Sequence, residues 1–137
     1  MATKVFLDAN VLLDFALKRS DYALSHKIIE LVVDGRIQAF ITPSIVHILG
    51  YWLTKAYGHF KAKEILLTLL IDIQVIDIGH TITVNALHSK IKGIEDALQY
   101  YTAIHNKLDY FITLDKALKK EATPNLPICT CEEFLRV

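Results

Sequence analysis

The sequence predicts an α/β fold in which helices cover both faces of a central parallel sheet. Two observations lead to this class. Short apolar runs rich in β-branched and aromatic residues alternate with longer segments of helical spacing along the 137 residues. Strands separated by helices are joined by right-handed crossovers, and such strands pair in parallel. Apolar residues make up 53% of the chain, which is enough for a substantial core, and we treat residues 1–137 as a single domain.

Each element has its own local signal. Thr42 and Pro43 are typical of a helix start, and Asp34 followed by Gly35 is typical of a helix end. The predicted strands are residues 4–8, 37–41, 74–77, 109–113 and 127–130. The predicted helices are residues 10–18, 22–34, 43–57, 60–71, 80–90, 94–106 and 115–121.

The composition of the chain restricts its possible location and the kinds of partner it binds. The 15 basic and 15 acidic residues balance, which argues against a protein whose whole surface coats nucleic acid. No apolar run reaches the roughly 20 residues of a membrane span, and no signal peptide precedes the first strand. We therefore expect a cytoplasmic protein without a membrane partner. The high apolar content is compatible with a buried subunit interface.

Three carboxylates stand out by their positions. Asp8 ends the first predicted strand, Asp115 follows the fourth, and Asp96 lies in the first turn of the helix that precedes the fourth. The carboxyl ends of parallel strands meet at one edge of the sheet, where ligands of such folds gather. Each acid also has a purely structural interpretation, because Asp8 and Asp115 suit helix N-caps and Asp96 suits a helix dipole.

Together, the three acids favour a metal site. Converging carboxylates repel one another by roughly 1 kcal/mol or more per close pair, unless a cation compensates them. Hard oxygen ligands of this kind suit Mg²⁺ or Mn²⁺. A divalent ion held in this way activates water and stabilises the charge that develops on a phosphodiester.

The segments VFLDANVLLD, TPS at a helix start, and EDALQYYTAIHNKLDYFITLDK resemble the PIN-domain family in order and spacing, from Lys4 to about Lys120. The resemblance implies a three-layer α/β/α sandwich with about five strands and a Mg²⁺- or Mn²⁺-dependent ribonuclease. Many members are toxins of toxin–antitoxin pairs, so it also implies an RNA substrate, an antitoxin partner and a homodimer. The metal ligands it implies are Asp8, Asp96 and Asp115, with Asn10, Ser44 and Thr113 as small polar residues lining the site.

The sequence departs from the family pattern in the helix after the second strand. The family usually places a further acid there, but this chain has no Asp or Glu between Asp34 and Glu64, and the position is occupied by His47. His47 is either a metal ligand that shifts preference toward Mn²⁺ or a packing residue in a weakened site. The alternative function is therefore a catalytically weakened PIN-like domain that binds RNA or a protein.

Basic residues beside the fourth strand are candidates for phosphate contact. Lys116 and Lys119 closely follow Asp115, although a solvated helix face explains them equally well. A dinucleotide-binding domain would need a glycine-rich turn after the first strand, and the segment DANVLLD contains no glycine. This rival is therefore disfavoured, and the metal-dependent nuclease is the preferred interpretation.

Overall fold

The computed structural model describes residues 2–137 and contains one five-stranded sheet. All four strand pairings are parallel, and the strands lie in the order β3-β2-β1-β4-β5. This confirms the predicted fold class. The strands are β1 (Thr3–Leu7), β2 (Ile37–Ile41), β3 (Ile73–Val75), β4 (Tyr110–Thr113) and β5 (Ile128–Thr130).

The helices connect the strands as the sequence predicts, with two differences. They are α1 (Ala9–Ala16), α2 (Tyr22–Val33), α3 (Pro43–Tyr57), α4 (His59–Leu69), α5 (His80–His88), α6 (Ile94–His105), a 3₁₀ helix (Lys116–Glu121) and α7 (Cys131–Leu135). The segment 115–121 is thus a 3₁₀ helix. The five-residue α7 was not predicted, because it is too short to show apolar periodicity.

Helix α7 begins with a capping box. The Thr130 hydroxyl accepts a hydrogen bond from the Glu133 backbone N–H at 3.2 Å. The Glu133 carboxylate in turn accepts one from the Thr130 backbone N–H at 2.9 Å. This reciprocal pair satisfies two N–H groups at the start of the helix, so a helix of little more than one turn forms here.

The core is centred on the middle strand of the sheet, β1, and its neighbour β4. Val5, Phe6 and Leu7 are successive residues of β1, and all three are 0% exposed, so helices cover both faces of the sheet. Phe6 stacks on Phe111 of β4 with ring centroids 5.1 Å apart, and Tyr100 of α6 meets Phe111 edge-on. Burial of this kind makes the positions of β1 and β4 rigid.

Local signals place the start of α3 and the end of α2. The Thr42 hydroxyl accepts from the Ile45 backbone N–H at 3.3 Å, and Pro43 occupies the first helical position. Gly35 has φ +75°, the left-handed conformation that ends α2. No helix within residues 2–137 is both long and apolar enough to cross a bilayer.

Candidate metal centre

Asp8 is buried at the point where β1 becomes α1. Its backbone N–H continues the β1–β4 pairing by donating to the Ile112 carbonyl at 2.9 Å. Its side chain caps α1 by accepting from the Ala9 N–H at 2.8 Å. The pKa of Asp8 is raised to about 6, first because burial penalises the charged form and then because of the negative charges of Asp96 and Glu95. Asp8 thus caps α1 and is also a buried carboxylate whose charged form is destabilised by its surroundings.

The Thr113 hydroxyl ties the ends of β1 and β4 together. It donates to Asp8 Oδ2 at 2.9 Å and accepts from the Asn10 amide at 3.2 Å and the Asp115 backbone N–H at 3.0 Å. The carboxamide oxygen of Asn10 accepts from the Leu114 N–H at 3.0 Å. One hydroxyl therefore uses its donor and both acceptor sites, and it fixes the orientation of the Asp8 carboxylate.

Asp115 sits one step further along the same loop. Its Oδ1 accepts from the Ala117 N–H at 3.0 Å and caps the 3₁₀ helix, so the structural interpretation of this residue is also correct. The side chain is exposed, and its charge contributes to raising the pKa of Asp96. Asp115 therefore lies at the open side of the sheet edge and within electrostatic reach of Asp96.

Asp96 lies in the first turn of α6, which begins at the same edge of the sheet. Burial raises the pKa of Asp96, and the charges of Asp115 and Glu121 raise it further. Within residues 2–137 its carboxylate accepts no hydrogen bond from the protein. A Cβ on Gly93 would lie 3.0 Å from Asp96 Oδ2, so glycine at this N-cap leaves the space that the carboxylate uses.

Two acids that were not assigned to the site from the sequence extend the cluster. Glu95 acts on Asp8, and burial followed by the charge of Asp96 raises the pKa of Glu95 itself. Glu121, at the end of the 3₁₀ helix, acts on Asp96. Glu95 is the helix neighbour of Asp96, and neighbours on a helix do not share a face, so its place in the sequence does not assign it to the site. Glu121 has no motif to mark it. We call these five residues (Asp8, Glu95, Asp96, Asp115 and Glu121) the acidic edge.

Ser44, at the start of α3, is connected to α6 by a hydrogen bond. Its hydroxyl accepts from the Gln99 amide, and the Gln99 carboxamide oxygen accepts from the Thr42 hydroxyl at 2.5 Å. Thr42 and Ser44 are themselves 3.2 Å apart, which closes a triangle of three side chains. Gln99 is 0% exposed and joins the carboxyl end of β2 to α6.

His47 is exposed on α3. It lines a groove between α3 and α4 together with Tyr51, Lys55, His59 and Lys63. Within residues 2–137 it forms no hydrogen bond or ion pair with any acid. The side chain of His47 is therefore not brought to the acidic edge by a contact.

The two candidate phosphate-binding lysines differ in their partners. Lys119 Nζ lies 2.5 Å from Glu133 Oε2, an ion pair that ties the 3₁₀ helix to α7. Lys116 is exposed and makes no ion pair within the described residues 2–137. Of the two, Lys116 is the one whose ammonium group is available to an anion.

The family model for the PIN domain matches residues 4–117 of the chain. This stretch reaches from the start of β1 through β4, and it contains Asp8, Asp96 and Asp115. The chain belongs to the PIN-domain family. A search of curated protein sequences found no match.

Solved structures share the fold of this PIN domain. VapBC2 from Rickettsia felis bound to a promoter DNA fragment aligns with a TM-score of 0.70 at 18% identity, covering 93% of this chain and 98% of that one. A toxin–antitoxin complex from Klebsiella pneumoniae gives 0.66 at 19% identity, covering 89% and 94%. VapC20 from Mycobacterium tuberculosis, a toxin that cleaves the sarcin–ricin loop, gives 0.62 at 10% identity, covering 78% and 86%. The three-layer α/β/α sandwich is thus shared over most of the chain.

The chemistry of the acidic edge fits a hard divalent cation. Its donors are carboxylate oxygens, and within residues 2–137 none of the five acids forms an ion pair with Lys, Arg or His. As the described side chains stand, no three His, Cys, Asp or Glu groups converge closely enough to hold a metal. Asp8 and Asp115 each turn an oxygen toward a capped helix, and like charges favour separation in the absence of a cation.

Proposed function

We propose that this PIN domain is a metal-dependent endoribonuclease and the toxin of a toxin–antitoxin pair. The observation that supports the proposal is the acidic edge, where carboxylates from the end of β1, from α6 and from the loop after β4 lie within electrostatic reach of one another and form no ion pair with a cation of residues 2–137. Uncompensated acids of this kind persist where a bound cation offsets their repulsion. The VapBC and toxin–antitoxin structures that share the fold support the choice of RNA and of a toxin.

In this proposal Asp8, Asp96 and Asp115 hold Mg²⁺ or Mn²⁺. When bound, such an ion supplies a Lewis acid and lowers the pKa of a water molecule, which allows phosphodiester hydrolysis. Asp8 enters with one oxygen fixed by the Thr113 hydroxyl, which limits its freedom to rotate. Asp96 enters with both oxygens free of protein donors within residues 2–137. His47 is not a ligand in this proposal, because it lines the α3–α4 groove and forms no hydrogen bond or ion pair with an acid within residues 2–137.

The supporting residues act by holding backbone and carboxylates in place. Asn10 and Thr113 fix the loop after β4, because the Asn10 carboxamide bonds to both the Leu114 N–H and the Thr113 hydroxyl. Ser44 is fixed by Gln99, so it offers a hydroxyl of defined position on the β2 side. Lys116 is exposed beside Asp115 and is the cation we assign to an RNA phosphate.

We also propose a protein partner, an antitoxin, and a homodimer of the toxin. Several large apolar side chains on α3 and α4 are exposed, including Phe60 at 87% and Leu67 at 68%. Contiguous apolar surface of this kind is typical of a protein interface. Co-expression with the product of the neighbouring gene, followed by mass measurement in solution, tests both assemblies.

The nuclease proposal is tested by incubating mixed-sequence single-stranded RNA with the purified protein and Mn²⁺, Mg²⁺ or EDTA. Asp96→Asn, purified identically, excludes a contaminating nuclease. We expect cleavage with a divalent ion, none with EDTA, and a loss of at least about 100-fold in the variant, since one charged ligand is removed. Full activity of Asp96→Asn would overturn the assignment of this residue.

One observation favours a second candidate function, a PIN domain that binds RNA or protein without cleaving. Helix α3 contributes no acid to the site, since no Asp or Glu lies between Asp34 and Glu64. Absence of cleavage together with retained RNA binding in EDTA would support this alternative. Metal-dependent cleavage of any RNA that is lost in Asp96→Asn would exclude it.

A further inference from the structure

The β2–α3 side of the acidic edge has polar groups but no charged ligand. The hydroxyls of Thr42 and Ser44 and the carboxamide of Gln99 bond to one another in a closed triangle, and Thr42 also accepts from the Ile45 N–H. The Thr42 hydroxyl thus uses its donor and both acceptor sites, whereas the Gln99 carboxamide oxygen accepts a single hydrogen bond. All three side chains are neutral, so none of them offsets the charge of a bound cation.

Helix α3 does not supply a charged ligand on this side either. The stretch between Asp34 and Glu64 contains neither Asp nor Glu, and it includes the whole of α3. A Mg²⁺ ion prefers oxygen ligands in nearly octahedral geometry, and carboxylates among them offset its charge. Any acid facing the β2–α3 side must therefore come from another element.

Glu95 is the acid that α6 places there. It lies four residues before Gln99, and residues at this spacing share a helix face one turn apart. Because Gln99 bonds to Ser44 and Thr42, this face of α6 is turned toward the end of β2. The charge of Glu95 also contributes to raising the pKa of Asp8, which agrees with this placement.

Asp96 projects from the same turn of α6, about 100° around the helix axis from Glu95. It lies four residues before Tyr100, whose hydroxyl donates to the Leu126 carbonyl at 2.5 Å, on the approach to β5. The charges of both Asp96 and Glu95 raise the pKa of Asp8, with Asp96 the larger cause of the two, whereas the charges of Asp115 and Glu121 raise the pKa of Asp96. Asp96 therefore belongs to the β4 side of the acidic edge, and Glu95 projects from α6 in a different direction, toward the end of β2.

We propose that Glu95 is a fourth carboxylate ligand of the metal centre, closing it on the β2–α3 side where α3 provides no acid. Like the other acids of the edge, it has no cationic partner within residues 2–137. The flexible Glu side chain, exposed at the first turn of α6, can turn toward a cation without moving the backbone. The inference rests on the proposed function, because it assumes that the acidic edge binds a divalent ion.

The test measures Mn²⁺ binding to the RNA-free protein by titration calorimetry, with the electron paramagnetic resonance signal of free Mn²⁺ as a second readout. The variants are Glu95→Gln, Glu95→Asp and Asp96→Asn, and Glu64→Gln on α4 is the matched control for loss of one acid. We expect Glu95→Gln to weaken binding at least about tenfold, as loss of one charged ligand should, and Glu64→Gln to leave it unchanged. We expect Glu95→Asp to weaken binding as well, because the shorter side chain keeps the charge but loses the reach.

The outcomes separate this inference from the proposed function. If wild type and Asp96→Asn both fail to bind Mn²⁺, the metal centre itself is absent and both proposals fall. If wild type binds and Asp96→Asn does not, but Glu95→Gln binds as tightly as Glu64→Gln, only the role of Glu95 is wrong. If Glu95→Asp binds as tightly as wild type while Glu95→Gln is weakened, Glu95 acts through its charge alone, and ligation is wrong. Thermal unfolding of each variant in EDTA controls for loss of fold.

Discussion

Two regions of this PIN domain have opposite chemistry. The acidic edge gathers five carboxylates, two of which raise the pKa of the buried Asp8. The α3–α4 face, by which we mean Tyr51, Trp52, Lys55, Phe60 and Lys63, borders a groove of about 690 Å³ whose lining includes no acid. Lys55 lies over the rings of Trp52 and Tyr51, at 5.6 and 5.9 Å from their centroids. The acidic edge and this groove therefore differ in charge, although the chain as a whole has no net charge.

The two regions are also held in place by different forces. The acidic edge depends on buried hydrogen bonds from Thr113, Asn10 and Gln99, all of which join elements distant in the sequence. The side chains of the α3–α4 face are exposed, so they contribute little to folding of the isolated chain. Substitutions should therefore change stability at the acidic edge and leave it almost unchanged on the α3–α4 face.

The largest effect we expect is the pH dependence due to Asp8. Its pKa is about 6 in the folded protein against an ordinary value of 3.8 for an unfolded chain, so folding favours the protonated form. The stabilising contribution is complete below the unfolded pKa and is lost as pH rises through the folded one. The shift corresponds to about 3 kcal/mol of unfolding free energy. As the pH rises from about 4 to 7, the unfolding free energy of Asp8→Asn, measured with urea in EDTA, should increase relative to that of wild type by about 3 kcal/mol.

The control for that experiment is Asp72→Asn, which removes one exposed carboxylate outside the acidic edge. If the unfolding free energies of Asp8→Asn and wild type differed by a constant amount across the pH range, the raised pKa of Asp8 would be wrong. Added Mn²⁺ should raise the stability of wild type at neutral pH and have less effect on Asp8→Asn, because a bound cation offsets the repulsion.

A smaller effect is expected at Thr113. Thr113→Val keeps the shape but removes a hydroxyl that serves Asp8, Asn10 and the Asp115 N–H. Leaving these groups without a partner should cost about 2 kcal/mol in urea unfolding. Thr113→Ser retains the hydroxyl and should lose less than half as much. Equal losses in both variants would mean that the Thr113 methyl packing, and not the hydrogen bonds, holds the two strand ends.

Gln99 should contribute somewhat less. Gln99→Leu breaks the triangle with Thr42 and Ser44 and should lower the unfolding free energy by about 1 to 2 kcal/mol. The exposed Gln38 on β2 offers the matched substitution, Gln38→Leu, for which we expect a change below about 0.5 kcal/mol. Thermal or urea unfolding of the pair measures the difference. Similar losses at both positions would show that the triangle adds nothing.

The smallest effect is expected on the α3–α4 face. Phe60 is 87% exposed, so Phe60→Ser should change the unfolding free energy by less than about 0.5 kcal/mol. Its effect should instead be seen in the oligomeric mass measured by light scattering, where loss of an apolar contact weakens self-association. A loss of more than about 1 kcal/mol in Phe60→Ser, measured where the variant is monomeric, would contradict this contrast, because Phe60 would then stabilise the single chain.

The residues that could be predicted from sequence are those whose signals are local. Asp8 and Asp115 follow apolar runs, and a carboxylate at such a point marks the end of a strand whatever the rest of the chain does. The same holds for the cap at Thr42 and the stop at Gly35, both of which were placed correctly. The strand after α4 was placed with an error, because β3 ends at Val75 and Asp77 lies beyond it.

The residues that were missed are defined by contacts across the fold. Gln99 matters because α6 brings it to the end of β2, 55 residues from Ser44, and no spacing in the sequence announces that contact. Glu121 had no motif, and the position of Glu95 relative to Asp8 depends on how α6 is rotated over the sheet. Helix α7 is the exception, because its capping box of Thr130 and Glu133 is local, but its five residues are too few to show a periodic pattern.

The sequence by itself determined the fold class, because strand and helix patterns alternate and a parallel sheet with crossovers is the arrangement that satisfies them. It also predicted three of the acids at the sheet edge, because Asp8 and Asp115 follow strands and Asp96 begins the helix that leads into β4. The tertiary structure alone decided which side of the edge each acid faces and which polar groups are already occupied by one another. Those properties depend on the rotation of α6 and on hydrogen bonds between residues 55 to 105 positions apart, which are set by packing of the whole core.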